Sequence, residues 1–403
     1  MLESIEKKLE KKIEAAFAVP VKTDGFFSFN TFLHMVSRGY GLGVKMRTAL
    51  YRAGVLRSKV LPCFVISIGN ITVGGTGKTP MTIYVADFIE KLGYRVAVVS
   101  RGYKGGFEKH GGVVSDGRRV FCSPAQSGDE PHMMATLLKV PVVVGKNRFH
   151  AAMTAVNRFK PHVIVLDDAF QHLAVHRDLN LLLVDSFAPF GNRALLPRGP
   201  LREPLSAVLR SHAVILTRYR QEHLNRNSGF QGEGSFGPGE TVDLQNGNGW
   251  AGASVPLFKT AHASSVCQVV DRHGITMDEA AQKNALAGFN SGSGFLVSGI
   301  ANNGDFRRGC EKLGIKIAGF VEFSDHFCYT AADMESIDRV FQQSKADFFV
   351  TTQKDYVKIK EVGCLPAPIV VLGVELVFEK EGEDALKALI QKKIASHGCF
   401  AKK

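Results

Sequence analysis

Residues 69–79 read Gly69-Asn70-Ile71-Thr72-Val73-Gly74-Gly75-Thr76-Gly77-Lys78-Thr79. This stretch follows the apolar run CFVISI at 63–68 and precedes an amphipathic segment at 81–92, so it joins a predicted strand to a predicted helix. Glycines allow backbone N–H groups to turn toward a phosphate, and the amino end of a helix adds positive potential. We therefore predict a phosphate-binding loop in the first βα unit.

Two side chains of this loop suit a nucleoside triphosphate. Lys78 can reach the β- and γ-phosphates, and the Thr79 hydroxyl can bind Mg²⁺. Thr72 occupies the place of the first glycine in the pattern G-x-x-x-x-G-K-[ST]. The run GGTGKT is closer to the loop of partitioning-type ATPases, although Val73 stands where those proteins have a second lysine. The predicted nucleotide-binding residues are Thr72, Val73, Gly74, Gly75, Thr76, Gly77, Lys78 and Thr79.

A second signal is an apolar run that ends in two carboxylates, Val163-Ile164-Val165-Leu166-Asp167-Asp168. P-loop folds place a carboxylate at the carboxyl end of a neighbouring strand, where it holds Mg²⁺ directly or through water. Adjacent side chains of a strand point in opposite directions, so one carboxylate is expected to face the metal and the other the next loop. The predicted metal ligands are therefore Thr79 and either Asp167 or Asp168.

The predicted fold is an α/β, P-loop NTPase-like parallel sheet flanked by helices, with N-terminal amphipathic helices and a smaller C-terminal α/β domain. Short apolar runs alternate with helical patterns, and such runs are typical of parallel strands buried on both faces. The candidate strands are 63–68, 95–99, 141–144, 162–166, 180–184 and 212–216, followed by 295–300, 347–352 and 368–372.

We divide the chain into four segments. Residues 1–60 are predicted to be a helical membrane-associating segment, and residues 61–220 the P-loop kinase core domain. Residues 221–256 are predicted to be a glycine-rich insertion, because eight glycines lie between Gly229 and Gly252. Residues 257–403 are predicted to form the C-terminal α/β domain that closes the active site.

Composition narrows the possible partners. The formal net charge of +12 favours phosphorylated, nucleic-acid or anionic-membrane partners. Aromatic-rich RNA motifs and a recognisable reading helix are lacking, so no nucleic-acid partner is expected. The seven cysteines form no C-x-x-C pair, which argues against a structural zinc site or a disulfide scaffold and favours a reduced, cytosolic compartment. No run of about 18 uncharged apolar residues is present, so a membrane-spanning helix is not expected.

Two N-terminal segments have helical patterns. Residues 1–19 are predicted to form a charged helix, with apolar residues at four-residue spacing. Around residues 38–53, Arg38, Lys45 and Arg52 recur every seven residues beside an apolar stripe. Such a helix can lie in the interface of an anionic bilayer, or it can pack on the core with a solvated basic side. The pattern alone leaves both interpretations open.

Further blocks follow the phosphate loop in order. They include SRGY at 100–103, GDEP at 128–131, GKNR at 145–148, DDAFQH at 167–172, LPRGPLREP at 196–204, SGI at 298–300, DH at 325–326 and TQKD at 352–355. In this order they resemble the tetraacyldisaccharide 4′-kinase family, the lipid A kinases of Gram-negative bacteria, over roughly residues 40–360.

The resemblance implies a reaction. Family members transfer the γ-phosphate of ATP, with Mg²⁺, to the 4′-hydroxyl of a tetraacylated glucosamine disaccharide 1-phosphate. They work at the cytosolic face of the inner membrane and have two domains, with the active site in the cleft between them. The expected partners are therefore this acylated lipid and an anionic membrane surface.

The resemblance also implies catalytic residues. Asp129 is expected to accept the proton of the sugar hydroxyl, in a dyad with His326. An isolated carboxylate is a weak base at neutral pH, but a partner imidazole can orient it. The alternative is that Asp129 and Glu130 cap a helix that begins at Pro131.

Three arginines are candidates for contact with phosphate. Arg202 is expected either to stabilise the transferred phosphate or to hold the 1-phosphate of the lipid, and Arg148 and Arg101 are weaker candidates of the same kind. The alternative for Arg202 is a surface ion pair with Glu203 or another carboxylate.

A different class of function stays open at this point. A membrane-associated P-loop switch or partitioning ATPase would explain the GGTGKT loop and the basic helix, but not Asp129 or the DH block at 325–326. The TQKD block at 352–355 superficially resembles a guanine-reading motif. Its lysine stands one position late, so we do not interpret it as a GTPase signature.

Overall fold

The computed structural model describes residue 17 and residues 28–219, 241–243, 254–278, 281–282, 292–363, 365–379 and 381–398. The chain forms two compact units, each assembled from separate stretches. The first unit comprises Met1–Val99, Arg148–Ala261 and Phe378–Lys403, and the second comprises Ser100–Asn147 and His262–Val377. The predicted helix over 1–19, apart from residue 17, and most of the predicted insertion lie outside the described residues. The predicted four-segment division stays a prediction.

The elements follow in chain order. The helices are α1 (Phe29–Arg52), α2 (Lys78–Lys91), α3 (Pro124–Ser127), α4 (Asp129–Leu137), α5 (Arg148–Phe159), α6 (Asn303–Lys312), α7 (Ala331–Ser344), α8 (Gln353–Val362) and α9 (Gly382–Ala395), with a 3-10 helix over Leu205–Arg210. The strands are β1 (Phe64–Gly69), β2 (Val96–Ser100), β3 (Gly112–Asp116), β4 (Pro141–Val144), β5 (Val163–Leu166), β6 (Leu179–Asp185), β7 (Ala213–Thr217), β8 (Thr241–Asp243), β9 (Ser254–Val270), β10 (Ser293–Ser298), β11 (Lys316–Glu322), β12 (Phe348–Thr352) and β13 (Ile369–Phe378).

A parallel sheet organises the first unit. Its strand order is β9-β7-β6-β1-β5-β2, and the strands of this path are all paired in parallel. All six residues of the central strand β1 are buried, as are all residues of β5, β6 and β7. Because parallel strands end at the same edge of a sheet, the loops that follow β1 and β5 lie side by side.

Gly69, the last residue of β1, makes a close backbone approach possible. A Cβ atom at this position would lie 2.8 Å from both the Cβ and the backbone nitrogen of Phe170. Phe170 is fully buried in a cluster with Ile71, Leu182 and Leu201. A side chain at position 69 would therefore push the segment after β5 away from the segment after β1.

The second unit has its own sheet and core. Strands β11, β10, β12 and β13 pair in parallel in that order, while β3 and β4 form an antiparallel pair. Aromatic rings fill one side of the core, where Phe341 stacks on Phe349 with ring centroids 4.0 Å apart and Phe295 packs edge-on against both. Such contacts add to the apolar burial that stabilises the unit.

The predicted α/β, P-loop NTPase-like parallel sheet flanked by helices is confirmed, whereas the N-terminal amphipathic helices stay a prediction. All nine candidate strands are observed within two residues of their predicted bounds, except that β13 continues to Phe378, six residues beyond its predicted end. The apolar runs did not reveal β3, β8, β9 and β11. Strand β11 contains only exposed and half-buried residues, and the second half of β9 mixes polar with apolar residues. Of the predicted insertion, residues 241–243 and 254–256 are described, and they belong to the antiparallel pair β8–β9.

Helix α1 contains most of the predicted basic segment and packs on the first unit by one face. Leu33, Ser37 and Gly41 are its buried residues, and the Ser37 hydroxyl donates a hydrogen bond of 2.8 Å to the carbonyl of Leu195. The Tyr40 hydroxyl donates to the carbonyl of Arg202 at 2.8 Å. The interpretation that this helix packs on the core is therefore correct for the face that carries Leu33, Ser37 and Gly41. In the part of the chain that the structure describes, no helix combines the length and the apolar character needed to cross a bilayer.

Helix α9 packs against α2 within the first unit. Leu386, Ile390 and Ile394 are buried, and the Tyr84 hydroxyl of α2 donates a hydrogen bond of 2.9 Å to Glu383 Oε1. The ring of Tyr84 also lies 5.0 Å from that of Phe378. The last described helix of the chain thus supports the helix that begins at the phosphate loop.

Candidate active site

The phosphate loop lies between β1 and α2, as predicted. Gly74 and Gly77 have φ values of +113° and +77°, a region that side-chain-bearing residues rarely adopt, and Gly77 caps α2. The Asn70 side-chain amide donates a hydrogen bond of 2.9 Å to the Thr76 hydroxyl, and both residues are buried. This bond fixes the loop from within.

A second segment pairs with the start of the loop. Thr72 forms an antiparallel backbone bridge with Leu201, the N–H of Val73 donates to the carbonyl of Pro200 at 2.8 Å, and the N–H of Arg202 donates to the carbonyl of Ile71 at 2.7 Å. The block at 196–204 is therefore attached to the phosphate loop by main-chain bonds. In the sequence, only the position of this block in the ordered series of family blocks indicated that it belongs to the site.

Lys78, Asp168 and Arg202 form a cluster of charges beside the loop. Lys78 Nζ lies 3.9 Å from Asp168 Oδ1 and 3.5 Å from the carbonyl oxygen of Gly74. Arg202 Nη1 donates to both carboxylate oxygens of Asp168, at 3.1 and 3.2 Å. Burial alone would raise the pKa of Asp168, but the charges of Lys78, Arg202 and Arg148 outweigh it and hold that pKa below its ordinary value.

Asp167 has different surroundings. It is 5% exposed, and its Oδ1 accepts a hydrogen bond of 3.1 Å from the Thr82 hydroxyl on α2. Asp168 has a φ of +44°, so the backbone turns sharply after β5 and the two carboxylates point to different neighbours. The side chains of Asp167 and Asp168 therefore diverge, as predicted. The cause is the turn after β5, not the alternation of side chains along a strand.

The donors near the loop fit Mg²⁺. Among the described residues there is no group of three or more His, Cys, Asp or Glu side chains that could hold a metal ion. Mg²⁺ is commonly bound by one or two carboxylates together with the phosphates of a nucleotide and water, so it needs no such group. Thr79 is the second residue of α2, and its hydroxyl with the carboxylates after β5 would supply oxygen ligands of the right kind.

In the second unit, Asp129 and His326 are in contact. Asp129 is the first residue of α4, and its Oδ2 lies 3.1 Å from His326 Nδ1. The preceding Gly128 has φ +88° and ψ 154°, and a Cβ there would lie 2.9 Å from the carbonyl oxygen of Tyr103. The helix begins two residues earlier than the capping interpretation placed it, and Asp129 is both its first residue and the partner of the histidine.

Two lysines of α8 surround this pair, and sequence reasoning did not identify either as a site residue. Lys358 Nζ lies 3.5 Å from Asp129 Oδ2, and Lys354 Nζ lies 3.2 Å from His326 Nε2. Burial raises the pKa of the Asp129 carboxyl, but the hydrogen bond from His326 and the charges of Lys358 and Lys354 outweigh it and hold that pKa below its ordinary value. Asp129 is therefore ionised at neutral pH.

The remaining candidate arginines have other partners. Arg148 is 3% exposed, and its Nη2 donates to the backbone carbonyl of Asp167 at 3.3 Å. Arg101 Nε lies 2.7 Å from Glu108 Oε1. Of the two kinds of partner in the alternative for Arg202, Glu203 pairs with Arg210, whereas another carboxylate, Asp168, does pair with Arg202.

The family model described as "Tetraacyldisaccharide-1-P 4'-kinase" matches residues 29–395. The chain belongs to this family. A tetraacyldisaccharide 4′-kinase of Desulfatibacillum aliphaticivorans is 38% identical over 363 residues, covering 89% of this chain and 92% of the relative. A tetraacyldisaccharide 4′-kinase of Syntrophus aciditrophicus is 38% identical over 353 residues, covering 86% and 89%.

A solved structure is also similar. It is the "apo" form of LpxK from Aquifex aeolicus in complex with ATP, which is 30% identical, has a TM-score of 0.68 and covers 91% of this chain and 100% of its own. Membership of the tetraacyldisaccharide 4′-kinase family confirms the predicted kinase class and decides against a switch or partitioning ATPase.

Proposed function

We propose that the protein transfers the γ-phosphate of ATP to the 4′-hydroxyl of a tetraacylated glucosamine disaccharide 1-phosphate. The observation that carries this proposal is the Lys78–Asp168–Arg202 cluster at a glycine-rich loop, in a chain that also holds an ionised Asp129 against a histidine. The first group suits a triphosphate and the second suits the proton of an alcohol.

The loop of the first unit is assigned to ATP. Its backbone N–H groups and the amino end of α2 receive the phosphates, and Lys78 neutralises charge on the β- and γ-phosphates. Arg202 is placed by its backbone bond to Ile71 and stabilises the charge that spreads over the transferred group. Mg²⁺, which Thr79 and Asp167 or Asp168 would hold, would supply further neutralisation of phosphate charge.

The proton of the acceptor is assigned to Asp129. A bond forms between the 4′-oxygen and the γ-phosphorus, the bond from that phosphorus to the bridging oxygen of ADP breaks, and the hydroxyl proton passes to the Asp129 carboxylate. A carboxylate with a lowered pKa is a weak base. Because the proton leaves late in a loose phosphoryl transfer, the position of the base matters more than its strength, and the bond to His326 provides that position.

The most direct test follows radiolabelled γ-phosphate from ATP. With Mg²⁺ and an acylated disaccharide 1-phosphate, we expect label in the lipid fraction, and none when the 4′-hydroxyl of the acceptor is blocked. The blocked acceptor keeps the acyl chains and the 1-phosphate, so it controls for binding. Release of labelled inorganic phosphate without any lipid product, in the presence of the unblocked acceptor, would refute the proposed reaction.

We also propose that α1 rests on the anionic cytosolic face of the inner membrane. Its outward face carries large apolar side chains at helical spacing, namely Phe32 (57% exposed), Met35 (63%), Leu42 (69%) and Met46 (61%). Arg38, Lys45 and Arg52 recur beside this face. A helix with such a face lies in the interface of an anionic bilayer, where its substrate would also be found. No nucleic-acid partner is proposed.

Vesicle co-sedimentation tests this membrane contact. A variant with serine in place of Phe32, Met35, Leu42 and Met46 should no longer sediment with anionic vesicles, because it loses the apolar surface that enters the interface. The matched control places serine at Val374 and Val377, which are exposed on β13. Equal pelleting of both variants would contradict the proposal.

A further inference from the structure

The TQKD block at 352–355, which we did not interpret as a GTPase signature, begins helix α8. Thr352 caps the helix, and its hydroxyl accepts a hydrogen bond of 3.1 Å from the N–H of Asp355. Residues four apart lie on the same face of a helix, so Lys354 and Lys358 are neighbours on α8. Both turn toward the Asp129–His326 pair.

Lys358 is buried and held on several sides. It is 7% exposed, and its Nζ lies 3.2 Å from Asp355 Oδ1 and donates to the carbonyl of Phe327 at 3.0 Å. Asp355 is fully buried, and its Oδ2 accepts from the N–H of Gly299 at 3.0 Å and from the Thr352 hydroxyl at 2.7 Å. These bonds fix the ammonium group 3.5 Å from Asp129 Oδ2.

Lys354 contacts the nitrogen of His326 that faces away from Asp129. Its Nζ lies 3.0 Å from Asp325 Oδ1 and 3.1 Å from Glu130 Oε1, and these carboxylates raise its pKa against the effect of burial, so it is an ammonium group. An ammonium group only donates hydrogen bonds. At 3.2 Å, His326 Nε2 is in position to accept from Lys354, an arrangement that places the ring proton on Nδ1, the atom next to Asp129.

We infer that Lys354 and Lys358 are positioning residues for the proton acceptor: Lys354 holds His326 as the neutral Nδ1–H tautomer, and Lys358 fixes the charge of Asp129. This inference rests on the proposed role of Asp129. With its Nδ1 already protonated, His326 donates to Asp129 and does not take its proton. The proton of the sugar hydroxyl therefore stays on the carboxylate during transfer.

Other ionisable groups face the same pair. They are Lys358, Lys354, Tyr329 and His132 around Asp129, and Lys354, Glu130, Asp325 and Tyr103 around His326. In Lys358→Met, burial of Asp129 is opposed only by His326 and Lys354. The pKa of Asp129 then rises, and the acid limb of the rate profile moves to higher pH.

The first test needs no catalysis. In the full-length protein labelled with ¹⁵N-histidine, the His326 signal is identified by its absence from His326→Gln. At neutral pH we expect a protonated Nδ1 and an unprotonated Nε2. In Lys354→Met, Glu130 and Asp325 face the ring without the lysine, and we expect both nitrogens to be protonated. An Nε2–H tautomer in the wild type would overturn the inference about Lys354, whatever reaction the protein catalyses.

The second test is kinetic. Lys358→Met should lower kcat about 10- to 100-fold, because the acceptor is displaced, while KM for ATP stays unchanged. Its acid limb should move to higher pH, and Lys358→Arg should recover most of the rate because it retains the charge. Lys360→Met, an exposed lysine of the same helix, is the control. A wild-type kcat and pH profile in Lys358→Met would overturn the role of Lys358.

The two failures are distinguishable. An active wild type with unaffected lysine variants refutes only this inference, whereas a wild type that phosphorylates no lipid refutes the proposed function and leaves the tautomer test in force. Thermal unfolding of each variant shows whether it is folded. If Lys358→Met does not fold, Lys358→Arg and Lys358→Gln replace it in the pH profile, and only the glutamine variant is expected to shift the acid limb.

Discussion

Replacement of Asp129 by asparagine separates catalysis from stability. The side chain keeps its shape but loses its charge, so it still accepts a hydrogen bond from His326 Nδ1, at present 3.1 Å away, but no longer forms an ion pair with Lys358. A hydrogen bond to a charged group contributes about 1.5–3 kcal/mol to stability. Because Lys358 keeps Asp355 at 3.2 Å, we expect the low end of that range, about 1.5 kcal/mol.

The stability difference depends on pH. The pKa of Asp129 is below its ordinary value of 3.8 in the folded protein, so the carboxylate stabilises the fold fully above that value. The contribution disappears as the pH falls through the folded-state pKa. Urea unfolding should therefore show the wild type as the more stable protein at pH 7, and a shrinking difference as the medium is acidified below pH 3.8.

The rate should change far more than the stability. Loss of a positioned proton acceptor lowers kcat by about 10²- to 10⁴-fold, while ATP affinity stays the same because Asp129 is not part of the phosphate loop. The assay is transfer of labelled γ-phosphate to the lipid, with nucleotide affinity measured by calorimetry. Asp338→Asn, on α7 of the same unit, is the matched control. If Asp129→Asn retains transfer within tenfold of this control, the assigned role is wrong.

Three further substitutions test other parts of the site. Lys78→Met should weaken ATP binding in calorimetry by about 10- to 100-fold, because a charged contact to phosphate is lost, and unchanged affinity would contradict the assignment. Asp168→Asn should alter the free energy of unfolding by less than about 1 kcal/mol, since its pairs are partly exposed, yet lower phosphate transfer markedly. Gly128→Ala, at φ +88° and with its Cβ 2.9 Å from the Tyr103 carbonyl, should cost about 1–3 kcal/mol in urea unfolding. Gly363→Ala, which meets open space at φ 163°, should cost much less, and equal losses would refute the strain argument.

The parallel strands were predictable because each is buried on both faces and therefore appears as an uninterrupted apolar run. The same physics predicted that the loops after β1 and β5 would meet, since parallel strands end at one edge of the sheet. Strand β11 was not predicted because it is half-exposed, and in its sequence KIAGFVE the apolar side chains are few and are interrupted by Gly319.

The polar contacts of the site were harder to predict from the sequence. The pairing of Thr72 with Leu201 joins residues far apart in the chain, and no local pattern encodes it. Asp129 and His326 were brought together by family resemblance, since neither residue alone carries a signal of its partner. One local pattern pointed to Lys354 and Lys358, namely a capped helix start followed by two lysines four residues apart. Their contact with Asp129 and His326, however, depends on how α8 packs on α4, and no local sequence pattern encodes that packing.

The packing of α9 against α2 has a consequence for biosynthesis. Residues 100–147 and 262–377 have all left the ribosome before α9 emerges, so the second unit has its whole chain while the first still lacks a helix. Until Leu386, Ile390 and Ile394 arrive, the apolar surface that they cover on the nascent first unit is open to chaperones and proteases. A premature stop codon shortly after residue 377 would thus damage the nucleotide-binding half, which is encoded mostly at the other end of the gene.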